Sequence, residues 1–418
     1  MIFKQYGNLG FKVSAVGFGA MRFDMSLTES ENANLIEYAV DKGITYLDTA
    51  PGYCSDKSEI ILGKAIKQMG RKKEWTIATK GMPMEFPTSK SAIEAVKKSL
   101  KRLKVDCIDF YHVWCLRRME HYDFAMRPDG QYEGLLRAKE QGLIKYIVCS
   151  SHQEGNGIKK VVEHGKFAGI LLGANILNFP FRWEGVQAAH KAGMGVIAMN
   201  PLGGGAIAKH AKKLEFLCEK NESPVDAALR FVIGCKEYTV ALVGFTTREH
   251  IDQAVRAAET ACEINKTYRD KIEKRLGKGM NEVCTGCGYC LKECPKNIPI
   301  ANYLQFYNDK VMFGTSDSTM KNNMQGSMMW GILNGCHGKA KTCISCKKCE
   351  KECTQHLPII KRLKELASWE PEKDAGMDQL VSADKKYKKE LSSSASKQSK
   401  AKKMSKSKVS KPKKTKGK

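Results

Sequence analysis

Residues 284–294 read CTGCGYCLKEC, and residues 343–353 read CISCKKCEKEC. Both stretches carry four cysteines in the spacing C-x2-C-x2-C-x3-C. In this spacing three thiolates hold one [4Fe–4S] cluster, and the fourth cysteine ligates a neighbouring cluster. Zinc sites more often use two C-x2-C pairs with a longer gap between them, and zinc or disulfides remain the alternatives. The repetition of an unusual spacing therefore predicts two [4Fe–4S] clusters.

The crossed pattern assigns each cysteine of the two runs to a cluster. The first cluster is expected on Cys284, Cys287, Cys290 and Cys353. The second is expected on Cys294, Cys343, Cys346 and Cys349. The stretch between the runs is long, and Asn302–Met312 and Met328–Leu333 are predicted helices within it. We therefore expect a mainly helical two-cluster domain over residues 280–366.

The chain before this domain alternates short β-rich runs with longer helical stretches. The predicted strands are Val13–Phe18, Ile44–Asp48, Trp75–Lys80, Ile108–Trp114, Ile144–Ser150, Gly169–Ala174, Gly195–Met199 and Val240–Gly244. Ser91–Leu103, with Ser89 as its cap, and Gly185–Ala192 are among the predicted helices. Eight such alternations predict an α/β fold, a (β/α)8 TIM barrel over residues 1–270. An open doubly wound sheet is the alternative, but its usual G-x-G-x-x-G opening is absent.

Polar residues and glycines cluster where the predicted strands end. Because the reactive face of such a barrel lies at the carboxyl ends of its strands, these residues are candidate site residues. They are Asp48, Lys80, Ser150, Ser151, Asn175, Gly203, Thr246 and Arg248. The loops after the seventh and eighth strands often hold phosphate through backbone N–H groups, and Arg248 adds a cation.

Composition and charge indicate which partners and which compartment the protein is expected to have. The chain has 418 residues, 42% of them apolar, and a formal net charge of +25. Fifteen lysines and one acid fall in residues 385–418, so residues 371–418 are predicted to form a disordered Lys-rich tail. No recognition element accompanies these charges, which argues against a nucleic-acid partner. Without a long apolar stretch we expect no membrane insertion, and the unpaired cysteine pattern favours the cytoplasm.

Three stretches resemble the aldo-keto reductases. Residues 48–53 read DTAPGY, residues 78–80 read ATK, and residues 195–202 read GVIAMNPL. The resemblance spans roughly residues 1–265, and with the cysteine runs the chain resembles the ferredoxin-fused branch of that family. It implies that Tyr53 donates a proton to a carbonyl, that Lys80 supplies the cation a tyrosine needs near neutral pH, and that Asp48 holds Lys80.

The fourth family residue departs from this resemblance. The family pattern D-x-Y-x-x-H reads Asp109-Phe110-Tyr111-His112-Val113-Trp114 here, so Trp114 stands where His is expected. His112 shares the face of Trp114 but should lie about 6.5 Å deeper along the strand. We retain His112 as a candidate catalytic residue, with a buried structural histidine as the alternative, and Trp114 as a surface for ring stacking.

The cofactors implied by the two halves differ in electron count. NADP(H) is implied by the resemblance and by Arg248, and it delivers a hydride, whereas each cluster takes one electron. A bound flavin is therefore kept as an alternative. The leading hypothesis is an iron–sulfur oxidoreductase that interconverts a small carbonyl and its alcohol, with a redox partner protein. The second is an electron-transfer protein without carbonyl chemistry, and the third is a purely structural role for the clusters.

Overall fold

The computed structural model describes residues 1–70, 75–279, 282–284, 286, 288–353 and 355–408, with the backbone alone for residues 279, 375 and 394–408. The strands within these residues are β1 (Phe3–Gln5), β2 (Lys12–Ser14), β3 (Val16–Gly19), β4 (Tyr46–Asp48), β5 (Thr76–Gly81), β6 (Ile108–Leu116), β7 (Ile144–Ser151), β8 (Gly169–Gly173), β9 (Gly195–Met199) and β10 (Val240–Gly244). The helices of the first part are α1 (Glu29–Asp41), α2 (Ser58–Met69), α3 (Ser89–Leu103), α4 (Met119–Ala125), α5 (Gln131–Glu140), α6 (Gly155–Glu163), α7 (Phe179–Lys191), α8 (Ala206–Lys209), α9 (Ala211–Leu214), α10 (Pro224–Gly234), α11 (Arg248–Glu259) and α12 (Lys266–Gly279). The later helices are α13 (Tyr289–Lys292), α14 (Ile300–Phe313), α15 (Asp317–Trp330), α16 (Lys348–Lys351), α17 (Ile359–Trp369) and α18 (Ala375–Lys408).

Strands β3 to β10 close into a parallel barrel in chain order, which confirms the predicted fold class. The first predicted strand, Val13–Phe18, is divided. Its beginning belongs to the β1–β2 hairpin, after which the Ala15 N–H donates to the Ile2 carbonyl, and the barrel strand starts at Val16. The rings of Tyr6 and Phe110 stack at 4.3 Å in the barrel interior. These buried aromatic side chains form a second, smaller core separate from the layer between strands and helices.

Helix α3 illustrates how the sequence sets a helix start. Thr88, not the predicted Ser89, is its N-cap, and Thr88 and Ser91 form a reciprocal capping box. Apolar side chains such as Val96, Leu100 and Leu103 recur every three or four residues and are buried. The helix therefore covers the barrel with one face. None of the helices in the described residues is both long and apolar enough to span a membrane.

The second part of the chain packs around its own core. Helices α14, α15 and α17 bury Tyr303, Met324 and Leu363 together with several of the cysteines. The predicted helix Asn302–Met312 is confirmed by α14. The predicted helix Met328–Leu333 is wrong in its bounds, because α15 begins at Asp317 and ends at Trp330, where Gly331 adopts an extended conformation.

The predicted tail boundary at residue 371 is wrong. Helix α18 begins at Ala375, and its first turns lie against the barrel: Ala383 is buried, Tyr387 donates to the carbonyl of Pro128 at 2.6 Å, and Thr88 donates to Glu390 at 2.6 Å. Leu380, Ala383 and Tyr387 recur at helical spacing, so this stretch has the apolar face that the lysine count obscured.

Candidate functional site

The candidate residues Asp48, Lys80 and Tyr53 meet at the carboxyl ends of β4 and β5. The ammonium of Lys80 lies 2.5 Å from Asp48 Oδ1, and both side chains are buried. The same ammonium lies 5.5 Å from the centre of the Tyr53 ring. An ion pair in this position holds a fixed cation next to a phenol at the open end of the barrel.

His112 lies on the inner side of this ion pair. Its Nδ1–H donates to the Cys149 carbonyl at 3.2 Å, and its Nε2 lies 3.8 Å from Asp48 Oδ2. Among the described residues neither Nε2 nor Oδ2 has a hydrogen-bond partner. Burial, followed by the charge of Lys80, lowers the pKa of His112 well below its ordinary value, so the ring is neutral at physiological pH.

Burial is the largest influence on the pKa values of Tyr53, Lys80 and Asp48. It raises the pKa of Tyr53 well above its ordinary value, and the negative charge of Asp48 acts in the same direction. It also lowers the pKa of Lys80 and raises that of Asp48, while the charge of each partner opposes the shift of the other. Tyr53 is consequently a neutral phenol, the form able to donate a proton.

The turn that presents Tyr53 is a run of left-handed residues. Cys54, Ser55 and Asp56 have φ values of 52°, 56° and 67°, a conformation that costs side-chain-bearing residues free energy. Asp56 compensates by accepting the Gly52 N–H at 3.0 Å and both terminal nitrogens of Arg102, at 2.7 and 2.8 Å. Helix α3 thereby braces the turn from outside the barrel.

Trp114 lies at the open end of β6. Its ring contacts Tyr53 edge-on, with centroids 5.7 Å apart and planes at 86°. The β6–β7 register shifts between Val113 and Leu116, and Cys115, with a φ of 67°, donates its backbone N–H to Ser150 Oγ at 2.8 Å. His112 precedes this bulge and pairs in register with Val148 of β7, whereas Trp114 lies within the bulge, at the mouth end of the strand.

The predicted cofactor residues fall into separate groups. Both serine hydroxyls are buried and bound to the end of β6: Ser150 accepts from Cys115, and Ser151 donates to the Leu116 carbonyl at 2.8 Å. Asn175 donates to the Asn200 carbonyl at 3.2 Å, which brings the loop after β8 next to Gly203. Gly203 begins a run of three glycines with positive φ, a conformation that suits close approach of a ligand to the backbone.

Thr246 and Arg248 line an open cavity of about 190 Å³ at the start of α11. The Arg248 guanidinium stacks 4.8 Å from the Tyr38 ring, and the Thr246 hydroxyl lies 3.1 Å from His250 Nδ1. Glu31 also lines the cavity, but its carboxylate is engaged by Thr28 at the start of α1. A cation, hydroxyls and a helix N-terminus are a donor set that fits a phosphate group.

Helix α18 covers one side of the barrel mouth, a feature that the sequence analysis missed. Ala383, Leu380 and Tyr387 pack with Trp114 and with the buried side chains of Met82, Met84 and Phe124, which follow β5 and β6. This group, here called the mouth wall, is apolar. The three- and four-residue spacing within residues 380–387 is the signal that could have revealed it.

Three arginines that follow β6 hold the C-terminal parts of the chain to the barrel. Arg117 donates to the Met329 carbonyl and to Gln379, Arg118 to Asn334, and Arg127 to Asp384. Arg117 also stacks 4.8 Å from the Trp330 ring. The guanidinium groups of these arginines therefore bind partners within the chain.

The cysteines of the second expected cluster surround one cavity. Cys294 from the first run lines it together with Cys343, Cys346 and Cys349 from the second, and aliphatic side chains such as Leu363 complete the lining. This is the crossed set that the spacing predicted. Four sulfur atoms around a cavity fit a [4Fe–4S] cluster, and no disulfide joins the cysteines that the structure describes.

The other set is buried deeper. Cys284, Cys290 and Cys353 are all buried, and Cys287 lies outside the described residues. Asn308 clamps Cys284 by accepting its N–H and donating to its carbonyl, both at 2.8 Å. Burial lowers the pKa of Arg362, whose guanidinium donates to the carbonyl of Glu282, two residues before Cys284. The positive charge of Arg362 would favour added electrons on a nearby cluster.

The two cysteine runs share a backbone geometry. Positive φ values occur at matching places, in Gly286 and Ser345, in Gly288 and Lys347, and in Asn297 and His356. Ile298 N–H donates to Cys294 Sγ at 3.5 Å, and Leu357 N–H donates to Cys353 Sγ at 3.4 Å. The later prolines, Pro299 and Pro358, both cap helices. The two runs are thus parts of a repeat that extends beyond the cysteines to these prolines.

Comparison with known proteins bears on both parts. Residues 15–274 match the model of the aldo/keto reductase family. The chain belongs to the aldo/keto reductase family. Residues 283–358 match the model of a 4Fe-4S dicluster domain, so this aldo/keto reductase carries a ferredoxin-type domain after its barrel. The family makes the chain an oxidoreductase.

Curated relatives of this aldo/keto reductase cover mainly the barrel. "Probable aldo-keto reductase 1" of Glycine max is 26% identical over 292 residues, which are 60% of this chain and 82% of the relative. "Uncharacterized oxidoreductase YrpG" of Bacillus subtilis is 26% identical over 333 residues, 69% of this chain and 97% of the relative.

Solved structures agree on the fold. Aldo-keto reductase AKR11C1 from Bacillus halodurans, in its holo form, superimposes with a TM-score of 0.57 at 24% identity, over 66% of this chain and 96% of that one. An aldo-keto reductase from Klebsiella pneumoniae in complex with NADPH gives 0.53 at 17% identity, over 66% and 95%. Both likenesses concern the fold of the barrel.

Proposed function

We propose that the barrel interconverts a small carbonyl compound and its alcohol with NADP(H), and that the C-terminal domain carries two [4Fe–4S] clusters that exchange electrons with a redox partner protein. The observation that carries the first half is the buried Asp48–Lys80 ion pair, 2.5 Å long, beneath the ring of Tyr53. A structural ion pair would not need a phenol at the open end of the barrel.

Tyr53 is the proton donor in this proposal. Its raised pKa keeps the hydroxyl protonated, which suits the direction of carbonyl reduction. Lys80 supports the negative charge that remains on the phenol oxygen after transfer, and Asp48 keeps Lys80 charged despite its burial. His112 is a positioning residue, because it contacts Asp48 and not the mouth. NADPH supplies the hydride when bound.

The cofactor assignment rests on the loops after β7 to β10. Arg248 and Thr246 would hold a phosphate group in the cavity at α11, Gly203 and Asn175 would lie along the cofactor, and Ser150 and Ser151 would support the loop after β7. The Klebsiella pneumoniae relative is named as an NADPH complex, which supports the same cofactor here. The matched proteins lend no support to a flavin, so we propose the nicotinamide.

The substrate class follows from the mouth wall. Trp114 offers a half-buried apolar surface beside Tyr53, and the buried side chains of Met82 and Met84 pack in the same apolar group, which favours an aliphatic or aromatic carbonyl compound over a charged one. The arginines that could have bound an anion are paired within the chain. Because cluster thiolates need a reducing environment, we place the protein in the cytoplasm.

The eight cysteines of the two runs are the proposed cluster ligands, and iron analysis with electron paramagnetic resonance tests them. We expect about eight iron atoms per chain and a signal from reduced [4Fe–4S] centres. Cys346→Ser should lower the iron content and remove the signal of one centre, whereas Cys262→Ser, at an exposed cysteine outside both runs, should change neither. Equal loss in both variants would contradict the assignment.

Tyr53→Phe tests the barrel chemistry. It should lower carbonyl turnover by roughly 10²–10⁴-fold, with NADPH binding and the iron–sulfur spectrum unchanged. Tyr146→Phe, in the aromatic group at the other end of the barrel, is the matched control and should retain turnover. Unchanged turnover in Tyr53→Phe would remove Tyr53 from the mechanism.

Trp114 favours a second candidate function, electron transfer without carbonyl chemistry. It occupies the mouth position where the family pattern expects a histidine, and His112 lies too deep to replace that histidine. Under this function no carbonyl compound is turned over. Each NADPH would give up two electrons, one to each of the two clusters, and release one proton, at the same rate in the unaltered protein and in Tyr53→Phe. An anaerobic titration of both proteins with NADPH, followed by cluster absorbance, separates the two functions.

A further inference from the structure

The two expected cluster sites differ in their exposure. Cys284, Cys290 and Cys353 are buried, and the loop of the first run contacts the barrel: a Cβ on Gly286 would lie 2.8 Å from the Cβ of Phe181, at the start of α7. The second site opens to solvent. Cys346 is exposed, and the Ile344 side chain beside it is 56% exposed although apolar. The domain therefore has a barrel side and a solvent side.

Lysines surround the solvent side. We define the basic face as Ile344 and Cys346 with the exposed lysines Lys292, Lys296, Lys341, Lys347, Lys348 and Lys351. Lys296 lines the cluster cavity itself. The others lie on α13, on α16, at the N-cap of α16 and in the turn before Cys343. Within the described part of the chain, no ion pair involves any of these six lysines.

Nearby acids do not cancel this charge. Glu293 and Glu352 are exposed. The carboxylate of Glu350 accepts a hydrogen bond from the Ile360 N–H at 2.9 Å. Six lysines against three glutamates give the rim a positive field around an apolar centre. Such a combination is typical of a surface where an oppositely charged protein docks transiently, since charge steers the encounter and apolar contact holds it briefly.

We propose that the basic face docks an acidic one-electron carrier protein of the flavodoxin or ferredoxin type, and that the site of Cys294, Cys343, Cys346 and Cys349 is the port through which electrons enter or leave the domain. In each encounter one electron passes between the two proteins, and no proton or bond changes with it. This inference rests on the proposed presence of the clusters and is independent of the carbonyl chemistry.

Binding of an acidic flavodoxin to the full-length, cluster-loaded protein is the first test. We expect its Kd to rise at least tenfold between 50 and 300 mM salt, and at least tenfold in K347E/K348E/K351E at low salt. The matched control is K97E/K98E/K101E, which reverses three exposed lysines on α3 and should change the Kd less than twofold. Ile344→Ser should weaken binding at every salt concentration.

Reoxidation of chemically reduced protein is the second test, and it needs no NADPH. In K347E/K348E/K351E the anionic oxidant anthraquinone-2,6-disulfonate should react several-fold more slowly and the cationic oxidant hexaammineruthenium(III) several-fold faster. Equal flavodoxin binding by this variant and its control would overturn the proposal. So would a shift of the cluster reduction potential without any change in binding, because the lysines would then only neutralise thiolate charge.

The two tests separate this inference from the proposed function. Loss of carbonyl turnover in Tyr53→Phe leaves the docking results unaffected, whereas absence of a [4Fe–4S] signal in the unaltered protein would overturn both. Binding of single-stranded DNA or of a second copy of the chain in preference to flavodoxin would contradict the choice of occupant.

Discussion

Trp114 meets the ring of Tyr53 edge-on at 5.7 Å, directly above the Lys80–Asp48 ion pair. An indole cannot polarise a carbonyl as an imidazole does, but it can fix the direction of the phenol and exclude water from it. In this chain an apolar packing residue, Trp114, thus stands where the family pattern has a hydrogen-bonding histidine. In the proposed function the substrate would pack against the same indole.

Replacement of Trp114 should therefore affect orientation more than fold. We expect Trp114→Ala to lower kcat/KM for an aromatic aldehyde about tenfold, or about 1.4 kcal/mol, because the edge contact with Tyr53 and the stacking surface are both lost. Trp114→Phe keeps a ring and should lose about half of that energy at most. Steady-state kinetics check this, and equal activity of Trp114→Ala and the unaltered protein would contradict it.

Arg102 supports the same phenol from a distance. Arg102→Ala removes the bidentate pair with Asp56 and should let the left-handed turn relax, with kcat falling about fivefold at nearly constant KM. Because the pair is partly exposed, the loss of unfolding free energy should stay below about 1 kcal/mol. Lys101→Ala, on the same helix and exposed, is the control. A rise in KM alone would indicate a role in binding.

Acid should destabilise the barrel through a buried neutral histidine. Burial, with the charges of Arg117 and Arg118, lowers the pKa of His121 to about 3, below its value of about 6.5 in the unfolded chain. The unfolded state then binds the extra proton between these values, so the free energy of unfolding falls as the pH drops below 6.5, by about 1.4 kcal/mol per unit.

Urea unfolding between pH 6.5 and 5 measures this slope. His121→Asn should reduce the pH dependence by about one proton, whereas His190→Asn, at an exposed position on α7, should leave it unchanged. An unaltered slope in His121→Asn would show that other groups account for the acid sensitivity.

Truncation of the mouth wall should change substrate preference. Tyr387→Ala removes a ring that packs 6.2 Å from Phe124 and should raise kcat/KM for naphthaldehyde relative to propanal at least fivefold, because space opens beside Trp114. Val381→Ala, on the exposed side of α18, is the control. The same ratio in both variants would exclude α18 from substrate selection.

Local spacing explains what the sequence revealed. The barrel strands, the grouping of Cys294 with the second cysteine run and the conjunction of Asp48, Tyr53 and Lys80 depend on periods of a few residues or on strand ends that must share one edge. The contact of His112 with Asp48 depends instead on how far neighbouring strands are staggered, which one sequence does not specify.

The prediction from composition was wrong where one count of lysines covered both a packed helix and the residues after it. The lysines of residues 385–418 suggested one disordered tail, although residues 380–387 already carry the apolar spacing of a packed helix. The partners of Arg117, Arg118 and Arg127, which follow β6, could not be predicted from the sequence either. Their partners, Met329, Asn334 and Asp384, lie more than two hundred residues later in the chain, and only the folded structure brings them together.

Helix α18 also means that the barrel mouth is completed late in the synthesis of the chain. Ribosomes release the barrel first and the cysteine runs next, while residues 380–390 emerge after both. A nascent barrel of this chain therefore stays open on one side until both cysteine runs have been synthesised. Since the α18 contacts fix Arg117 and Arg127 only afterwards, a chain arrested before residue 375 would lack one wall of its mouth, however well its barrel had folded.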